Sequence, residues 1–397
     1  MIGLIAIACL LTAAPLPVRV GPAGILRLPL APAASLPAGT ASEVPAATPQ
    51  TTPAPADPRR TGTPSIDVSV DPRIELLTVV QCLAGYEQLG GGGLSYRREV
   101  LARFAPWRSH PAVTLFARMA REGFTGDAPP AVMLRLAEPP ALELRAPFSV
   151  YLETRAGGRA RLFAFLDSLR DFAAESRFTE FHAAHERLFR RLAGDARRVL
   201  RRTRVVEPLE DYFGVREHGY HLILAPLLPA GGYAAEVERP PGIVDCYAIL
   251  GPSRASHGRP RFWDPDALEA LLWHEFSHVF IGNLPEACRR DIVADSALFE
   301  PLRARMLSQG YARWEVCADE HLVRAVGVRL VARMEGAHAA EKALDLQLRL
   351  GFAYLPRLLA ALERFERERA LFPTLGDFCP ALAEAIHRPA PPRVEKP

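Results

Sequence analysis

One predicted helix constrains the fold of this chain more than any other segment. Asp264 is a favoured N-cap residue and Pro265 suits the first helical position, so a helix begins at that point. Large apolar residues then occur on nearly every side of the helix, which must therefore be buried in the protein core. The same helix carries His274, Glu275 and His278, and burying these side chains costs on the order of several kcal/mol unless each finds a polar partner.

The three polar residues of this helix form the pattern HExxH. Residues i and i+4 of a helix lie on one face, one turn apart, so His274 and His278 can both bind one metal ion. Glu275 then lies beside that ion, where its carboxylate can accept a proton from water. A bound zinc ion satisfies all three buried groups together. The alternative is a pair of core histidines that are hydrogen-bonded to backbone or carboxylate groups.

A catalytic zinc site needs a third protein ligand, for which the sequence offers Glu315, Asp319 and Glu320. We expect these residues to lie on a helix over residues 312–334. On its helical wheel Glu320 falls in the middle of an apolar face, whereas Glu315 lies near two arginines. A carboxylate on a buried face needs a partner, while one beside arginines is the usual solvated ion pair. Glu320 is therefore the expected ligand, and Glu315 and Asp319 stay open as alternatives.

Several polar side chains near Glu320 are candidates for stabilising negative charge in a transition state. By position or by residue type, these candidates are His321, Arg324, Tyr311 and Tyr354. Arg324 follows Glu320 by one helical turn, so we expect it to hold the Glu320 carboxylate in place. The sequence does not rank the other three residues.

The ends of the chain predict export. Residues 2–14 form an apolar run that is too short to span a bilayer but is typical of a secretory signal, so residues 1–14 are the predicted signal peptide. A lipid anchor at Cys9 is a weaker alternative. Residues 15–64 are rich in alanine, proline and threonine and predict a disordered linker, and residues 389–397 predict a loose tail. We expect the mature chain to be periplasmic, secreted or envelope-associated, without a transmembrane helix.

The sequence pattern of residues 65–388 predicts one mainly helical α+β domain. Sequence patterns predict strands at 66–70, 221–228 and 243–250, the last two pairing in a small sheet before the HExxH helix. The run 221–228 offers an edge to which an extended peptide can add, with a plain core strand as the alternative. Helical periodicity predicts helices over residues 72–85, 96–104, 111–121, 161–172, 178–202, 265–281, 292–307 and 312–334.

Composition limits the partners of this chain. Its 397 residues carry a formal net charge of +3, and the compact basic run is at 197–204. That run has no interleaved aromatic residues, so we expect an exposed face and no nucleic-acid partner. Removing the predicted signal leaves an odd number of cysteines without regular spacing, which predicts neither a disulfide framework nor a cysteine zinc site.

The order of the motifs resembles a known class of enzymes. HExxH followed some forty residues later by a helical glutamate is similar to the gluzincin class of zinc peptidases. The segments VDPRIELLTVVQCLAGY, SHPAV, HEFSH and EHLVRA resemble a bacterial family called domain of unknown function 4932 over residues 66–386. This resemblance implies a zincin-like metallopeptidase domain, with His274, His278 and Glu320 as ligands of one zinc ion and Glu275 as catalytic base.

Two classes of function follow from these observations. The first is a zinc-dependent metallopeptidase that hydrolyses a peptide or protein substrate, with Glu275 as general base. The alternative is a non-catalytic protein that contains zinc and binds peptide, or an envelope scaffold that binds polymers through its arginine-rich helix. The intact Glu275 favours the first class, because a purely structural zinc site has no need of a base.

Overall fold

The computed structural model of the protein describes residues 65–86, 89, 93–239 and 242–388. The predicted signal peptide with Cys9, the predicted linker at 15–64 and the predicted tail at 389–397 lie outside the described residues. Within the described residues the fold is α+β and mainly helical, with a small mixed sheet, as the sequence predicts.

A four-stranded sheet has the strand order β1-β2-β4-β3. Strands β1, β2 and β4 are parallel to one another, and β3 pairs antiparallel with β4. A separate two-stranded hairpin of β5 and β6 follows this sheet and precedes the HExxH helix. The strands are β1 Ile66–Ser69, β2 Gly219–Leu224, β3 Gly231–Arg239, β4 Ile243–Gly251, β5 Arg254–Ser256 and β6 Arg259–Arg261.

The sheet corrects two expectations about its strands. The predicted strand at 221–228 is Gly219–Leu224, and it lies in the interior of the sheet between β1 and β4, so the expectation that it offers an edge to a peptide is wrong. The edge beside β4 is β3, which the sequence analysis did not predict. Glycines and prolines in and around β3 lower its intrinsic strand propensity, and its pairing with β4 over nine residues is a tertiary effect.

Sixteen α-helices and two 3₁₀ helices lie within the described residues. The α-helices are α1 Pro72–Leu83, α2 Ser95–Phe104, α3 Pro111–Arg121, α4 Ala128–Met133, α5 Val150–Arg155, α6 Arg159–Glu175, α7 Phe178–Ala184, α8 Glu186–Leu200, α9 Val206–Phe213, α10 Pro265–Gly282, α11 Glu286–Val293, α12 Arg303–Leu307, α13 Trp314–Glu335, α14 Ala337–Arg349, α15 Leu355–Arg367 and α16 Leu375–His387. The 3₁₀ helices are Ala105–Trp107 and Ser296–Leu302. None of the helices in the described part of the chain has both the length and the apolar content that spanning a bilayer requires.

Two predicted helices are interrupted in the structure. The predicted helix at 178–202 divides into α7 and α8 at His185, whose ring is hydrogen-bonded to the backbone carbonyl of Phe181 and to Glu99. The predicted helix at 292–307 is wrong, because α11, a 3₁₀ helix and α12 occupy this region. Pro301 lies inside the 3₁₀ helix, and a proline interrupts α-helical hydrogen bonding because it lacks a backbone N–H group.

Packing places α10 between the sheet and α13. One side of α10 contacts β3 and β4, and another packs against α13. Two aromatic pairs join α10 to further elements, since Phe276 meets the ring of Tyr220 of β2 edge-on and Phe280 stacks on Phe213 of α9. Helix α13 in turn packs against α14 and α15, so the helix that carries Glu320 is itself enclosed.

A disulfide bond between Cys288 and Cys379 joins α11 to α16. The sequence analysis did not predict this pair, because the two cysteines are separated by 91 residues and no local spacing relates them. The other described cysteines, Cys82, Cys246 and Cys317, are buried free thiols.

Helix α1 contains a fully buried carboxyl group outside the HExxH region. Glu75 accepts a hydrogen bond from the hydroxyl of Tyr96, while its Oε1 is buried without a hydrogen-bond partner among the described residues. Burial raises the pKa of Glu75 to about 7, despite the opposing effect of the Tyr96 hydrogen bond. The folded protein binds the Glu75 proton more tightly than the unfolded chain does. The free energy of unfolding therefore falls as the pH rises from the ordinary glutamate pKa of 4.5 to about 7.

We predict that Glu75→Gln stabilises the protein at pH 8 but changes its stability little at pH 4. Glutamine keeps an acceptor for Tyr96 and removes the cost of ionising a buried carboxyl group, which is at most about 3 kcal/mol for this shift. Urea unfolding of the wild type and the variant between pH 4 and 8 measures the difference. If the two free energies of unfolding vary in parallel with pH, Glu75 does not titrate as described.

Candidate metal centre

The HExxH residues lie on the third and fourth turns of α10. The side chain of Asp264 caps this helix by accepting a hydrogen bond from the backbone N–H of Ala267, and Pro265 occupies its first turn, as the sequence predicts. The helix then continues without a break to Gly282. His274 and His278 therefore lie one turn apart on a buried helix that packs against β3 and β4 on one side and against α13 on another.

Helix α13 brings Glu320 to the two histidines. His274 Nε2 and His278 Nε2 are 3.3 Å apart. Glu320 Oε2 lies 3.8 Å from His274 Nε2, and Glu320 Oε1 lies 3.6 Å from His278 Nε2. His278 is the most accessible of the three, with 27% of its side chain exposed against 12% for His274 and 10% for Glu320. The group is thus open to solvent mainly at His278.

These three side chains form a group that could hold a metal ion. Their ligand atoms all lie within 4.8 Å of one another. Two imidazole nitrogens and two carboxylate oxygens that face one another bring several electron pairs together, and this arrangement is stable only if a proton or a cation lies among them. The donor set therefore fits a cation, and the third member of the group is Glu320, the residue that the helical wheel favours.

The environment keeps His274 neutral and Glu320 charged. Burial lowers the pKa of His274 to about 3, which outweighs the opposing effect of Glu320. Burial alone would raise the pKa of Glu320, but the charge of Arg324 and its hydrogen bond to Glu320 lower the pKa to about 2. Neutral imidazole and ionised carboxylate are the forms that bind metal ions.

Glu275 lies on the same helix but faces the edge strand β3. Its side chain is buried, and it has no hydrogen-bond partner among the described residues. Burial, together with the negative charge of Glu320, raises the pKa of Glu275 to about 8. A Cβ atom added to Gly232 of β3 would lie 2.9 Å from Glu275 Oε1 and would overlap a methyl group of Leu250. The absence of a side chain at Gly232 leaves room for the carboxyl group.

Arg324 contacts Glu320 as the sequence analysis expected. Its Nε donates a hydrogen bond of 3.0 Å to Glu320 Oε2, and its side chain is only 3% exposed. Tyr311 lies behind this pair, where its hydroxyl accepts a hydrogen bond from Arg324 Nη2. Neither Arg324 nor Tyr311 is a member of the metal-binding group of His274, His278 and Glu320.

The remaining candidates are not members of the metal-binding group. Glu315 is exposed, and Asp319 is not part of the metal-binding group, so the structure brings neither alternative ligand into it. His321 donates from Nδ1 to the carbonyl of Cys317, and burial lowers its pKa to about 4. Tyr354 donates its hydroxyl to the carbonyl of Leu298.

Two residues near the group were missed by sequence reasoning. Gln347 of α14 is buried and accepts a hydrogen bond from Arg324, and Gly232 accommodates Glu275. A glutamine on a helix of mixed polar and apolar residues gives no local signal of such a role. The Gly231–Gly232 pair was a usable signal, because a glycine inside a strand often marks a close approach of another group.

A family model matches most of the chain. The family model described as "Domain of unknown function (DUF4932)" matches residues 66–385. Comparisons with curated proteins and with solved structures gave no match.

We predict that Glu320→Ala lowers zinc affinity by more than about 100-fold, the upper end of the effect of removing a group that only supports a ligand. Glu315→Ala is the matched control, because it removes an exposed carboxylate five residues away on the same helix. Competition with a chromophoric chelator measures the affinity of the full chain purified without a metal-affinity tag. Equal affinities for the wild type and Glu320→Ala would remove Glu320 from the ligand set.

Proposed function

The chain belongs to the DUF4932 family, whose description assigns no activity, and we propose from its candidate metal centre that it is a zinc-dependent metallopeptidase. The observation that carries the proposal is the position of Glu275. This buried carboxyl group follows a metal-binding histidine directly on one helix and lies beside an edge strand. We also propose that the resemblance to gluzincins reflects a zincin-like arrangement of the site.

Zinc is the ion that this donor set fits best. Two imidazole nitrogens and one carboxylate are a common ligand set of catalytic zinc sites. Ligand atoms about 2.05 Å from a tetrahedral ion lie roughly 3.3 Å apart. The two histidine nitrogens are 3.3 Å apart, and His278 Nε2 is 3.6 Å from Glu320 Oε1, close to this separation. Three protein ligands also leave a fourth position free, which a catalytic site requires and a closed structural site lacks. We infer one zinc ion per chain.

The residues of the chain divide the chemistry of hydrolysis among them. When bound, zinc supplies Lewis-acid chemistry, which polarises a carbonyl group and lowers the pKa of water. The Glu275 carboxylate accepts a proton from the attacking water and returns it to the nitrogen of the leaving amine. Arg324 holds Glu320 by one carboxylate oxygen. The apolar surroundings of α10 limit access of other water molecules to the reacting groups.

The edge strand β3 offers a binding site for an extended substrate. A peptide that pairs with β3 would add a strand to the sheet through main-chain hydrogen bonds. Gly232 would bring this peptide next to Glu275, because the carboxyl group approaches the strand at that residue. The substrate is therefore an extended segment of a peptide or protein.

A location outside the cytosol agrees with the disulfide. Disulfides persist in oxidising compartments and are rare in the cytosol, and Cys288 and Cys379 form one that joins two helices. We propose that the protein is exported, as the predicted signal peptide indicates. Its substrates are then peptides or proteins of the envelope or the surroundings.

The buried position of Glu275 weighs against a non-catalytic protein. A zinc site that only stabilises the fold, or that binds peptide without cutting it, does not need a buried carboxyl group beside the ligands. Burying Glu275 without a hydrogen-bond partner costs free energy. A catalytic role accounts for that cost.

We predict that Glu275→Gln retains zinc with unchanged affinity and lowers hydrolysis of a peptide library by about 100- to 10,000-fold, because glutamine cannot accept the proton. Mass spectrometry of the cleaved library and zinc analysis of the same sample measure both properties. Full activity of the variant would exclude Glu275 as the base. A wild type that binds zinc and cleaves nothing in a broad library of extended peptides would favour the non-catalytic alternative.

We predict that Gly232→Ala lowers hydrolysis by about 10- to 100-fold while zinc binding is kept, because the added Cβ displaces Glu275 from the strand. Gly282→Ala is the matched control, since a Cβ at this α10 position has no neighbour within 4 Å. Rates of cleavage of one peptide selected from the library compare the two variants. Equal rates would mean that Glu275 does not act at the β3 edge.

A further inference from the structure

A buried arginine links the Glu320 ligand to two other parts of the chain. Arg324 donates from Nε to Glu320 Oε2, from Nη1 to Gln347 Oε1 of α14 at 2.8 Å, and from Nη2 to the hydroxyl of Tyr311 at 3.2 Å. The ring of Phe352 lies against the guanidinium group, 4.1 Å from its carbon atom. All three nitrogens of the guanidinium group are thus engaged, each by a different residue.

The two oxygens of Glu320 are not equivalent in this arrangement. Oε2 accepts the hydrogen bond from Arg324, whereas Oε1 faces His278 Nε2 and accepts no hydrogen bond from a described residue. A metal ion held among the three side chains therefore finds Oε1 unoccupied. Glu320 would bind such an ion through this one oxygen.

An arginine without other partners would contact Glu320 differently. The planar guanidinium group favours a fork of two parallel hydrogen bonds to both oxygens of a carboxylate. Such a fork at Glu320 would occupy Oε1 and compete with a metal ion. Here the amide of Gln347 and the hydroxyl of Tyr311 engage Nη1 and Nη2, and Nε alone donates to the carboxylate.

The additional partners are also neutral. Gln347 and Tyr311 accept hydrogen bonds without carrying a negative charge, so Glu320 is the acidic side chain to which Arg324 donates. A second carboxylate at either place would compete with Glu320 for the guanidinium group. The neutral acceptors therefore orient the Arg324 guanidinium group, and Glu320 is the carboxylate that pairs with its positive charge.

We propose that Gln347 and Tyr311 are positioning residues that hold Arg324 in a single-bond contact with Glu320 and so keep Glu320 Oε1 available to the metal ion. This inference rests on the metal site of the proposed function and does not require peptidase activity. It assigns to α14, which contributes no ligand, control over the affinity of the site.

The test measures zinc affinity by chelator competition in Gln347→Met and Tyr311→Phe. We expect each substitution to weaken zinc binding by about 10- to 100-fold, the range typical of residues that orient a ligand. Tyr354→Phe is the matched control, because it also removes the hydroxyl of a buried tyrosine in this region. That hydroxyl donates to the carbonyl of Leu298 and does not contact Arg324. We expect this control to bind zinc as tightly as the wild type.

A double-mutant cycle shows whether Gln347 acts through Arg324. In an Arg324→Met background, Gln347→Met should cause no further loss of zinc affinity, since its partner is already removed. Melting temperatures of the zinc-free variants separate this effect from general destabilisation. A wild type that does not bind zinc overturns both the inference and the proposed function.

Three results overturn the inference alone. In the first, the wild type binds zinc, and Gln347→Met and Tyr311→Phe bind it equally well. In the second, Tyr354→Phe loses as much affinity as Tyr311→Phe, which makes the effect one of general packing. In the third, the losses from Gln347→Met and Arg324→Met add fully in the double mutant.

Discussion

The structure around the candidate site depends on the burial of polar groups on α10. The helix is apolar on nearly all sides and is enclosed by the sheet and α13, so its two histidines and Glu275 cannot be hydrated as they would be on a surface. Other elements of the fold must satisfy these groups. Helix α13 supplies Glu320, β3 leaves space at Gly232, and Arg324 balances the charge that Glu320 brings into the core.

This constraint also explains why the candidate metal-binding group is built from two helices. The i and i+4 positions of one helix provide two nitrogens on a single face, but a third residue of α10 at another spacing would point elsewhere. A carboxylate from a second, closely packed helix completes the group. The negative charge of Glu320 is balanced by Arg324, whose remaining nitrogens need acceptors, so a chain of hydrogen bonds extends from Glu320 to α14.

Sequence reasoning predicts those parts of the site that have a local pattern. His274, Glu275 and His278 follow from the spacing on one helix, and the wheel argument selects Glu320 over the exposed Glu315. The same kind of local pattern predicts β1 and β4 and the helices α1, α2, α3, α6, α10 and α13.

Features that depend on distant contacts were not predictable in this way. Strand β3 forms because β4 pairs with it, although its own residues have low strand propensity, and the strand at 219–224 is interior because β1 pairs with its free side. Gln347 acquires its role only when α14 folds against α13. The disulfide likewise joins cysteines that no motif connects.

The disulfide between Cys288 and Cys379 closes a covalent loop that contains one part of the candidate site and not the other. His274 and His278 precede the closed loop, while Glu320, Arg324 and Gln347 lie within it. In the chain-entropy model, closing a loop of this length stabilises the folded state by about 4 to 5 kcal/mol. A backbone cut anywhere inside the loop would therefore leave the carboxylate helix tethered to the histidine helix, and the cut molecule would migrate as a full-length chain until its disulfide is reduced.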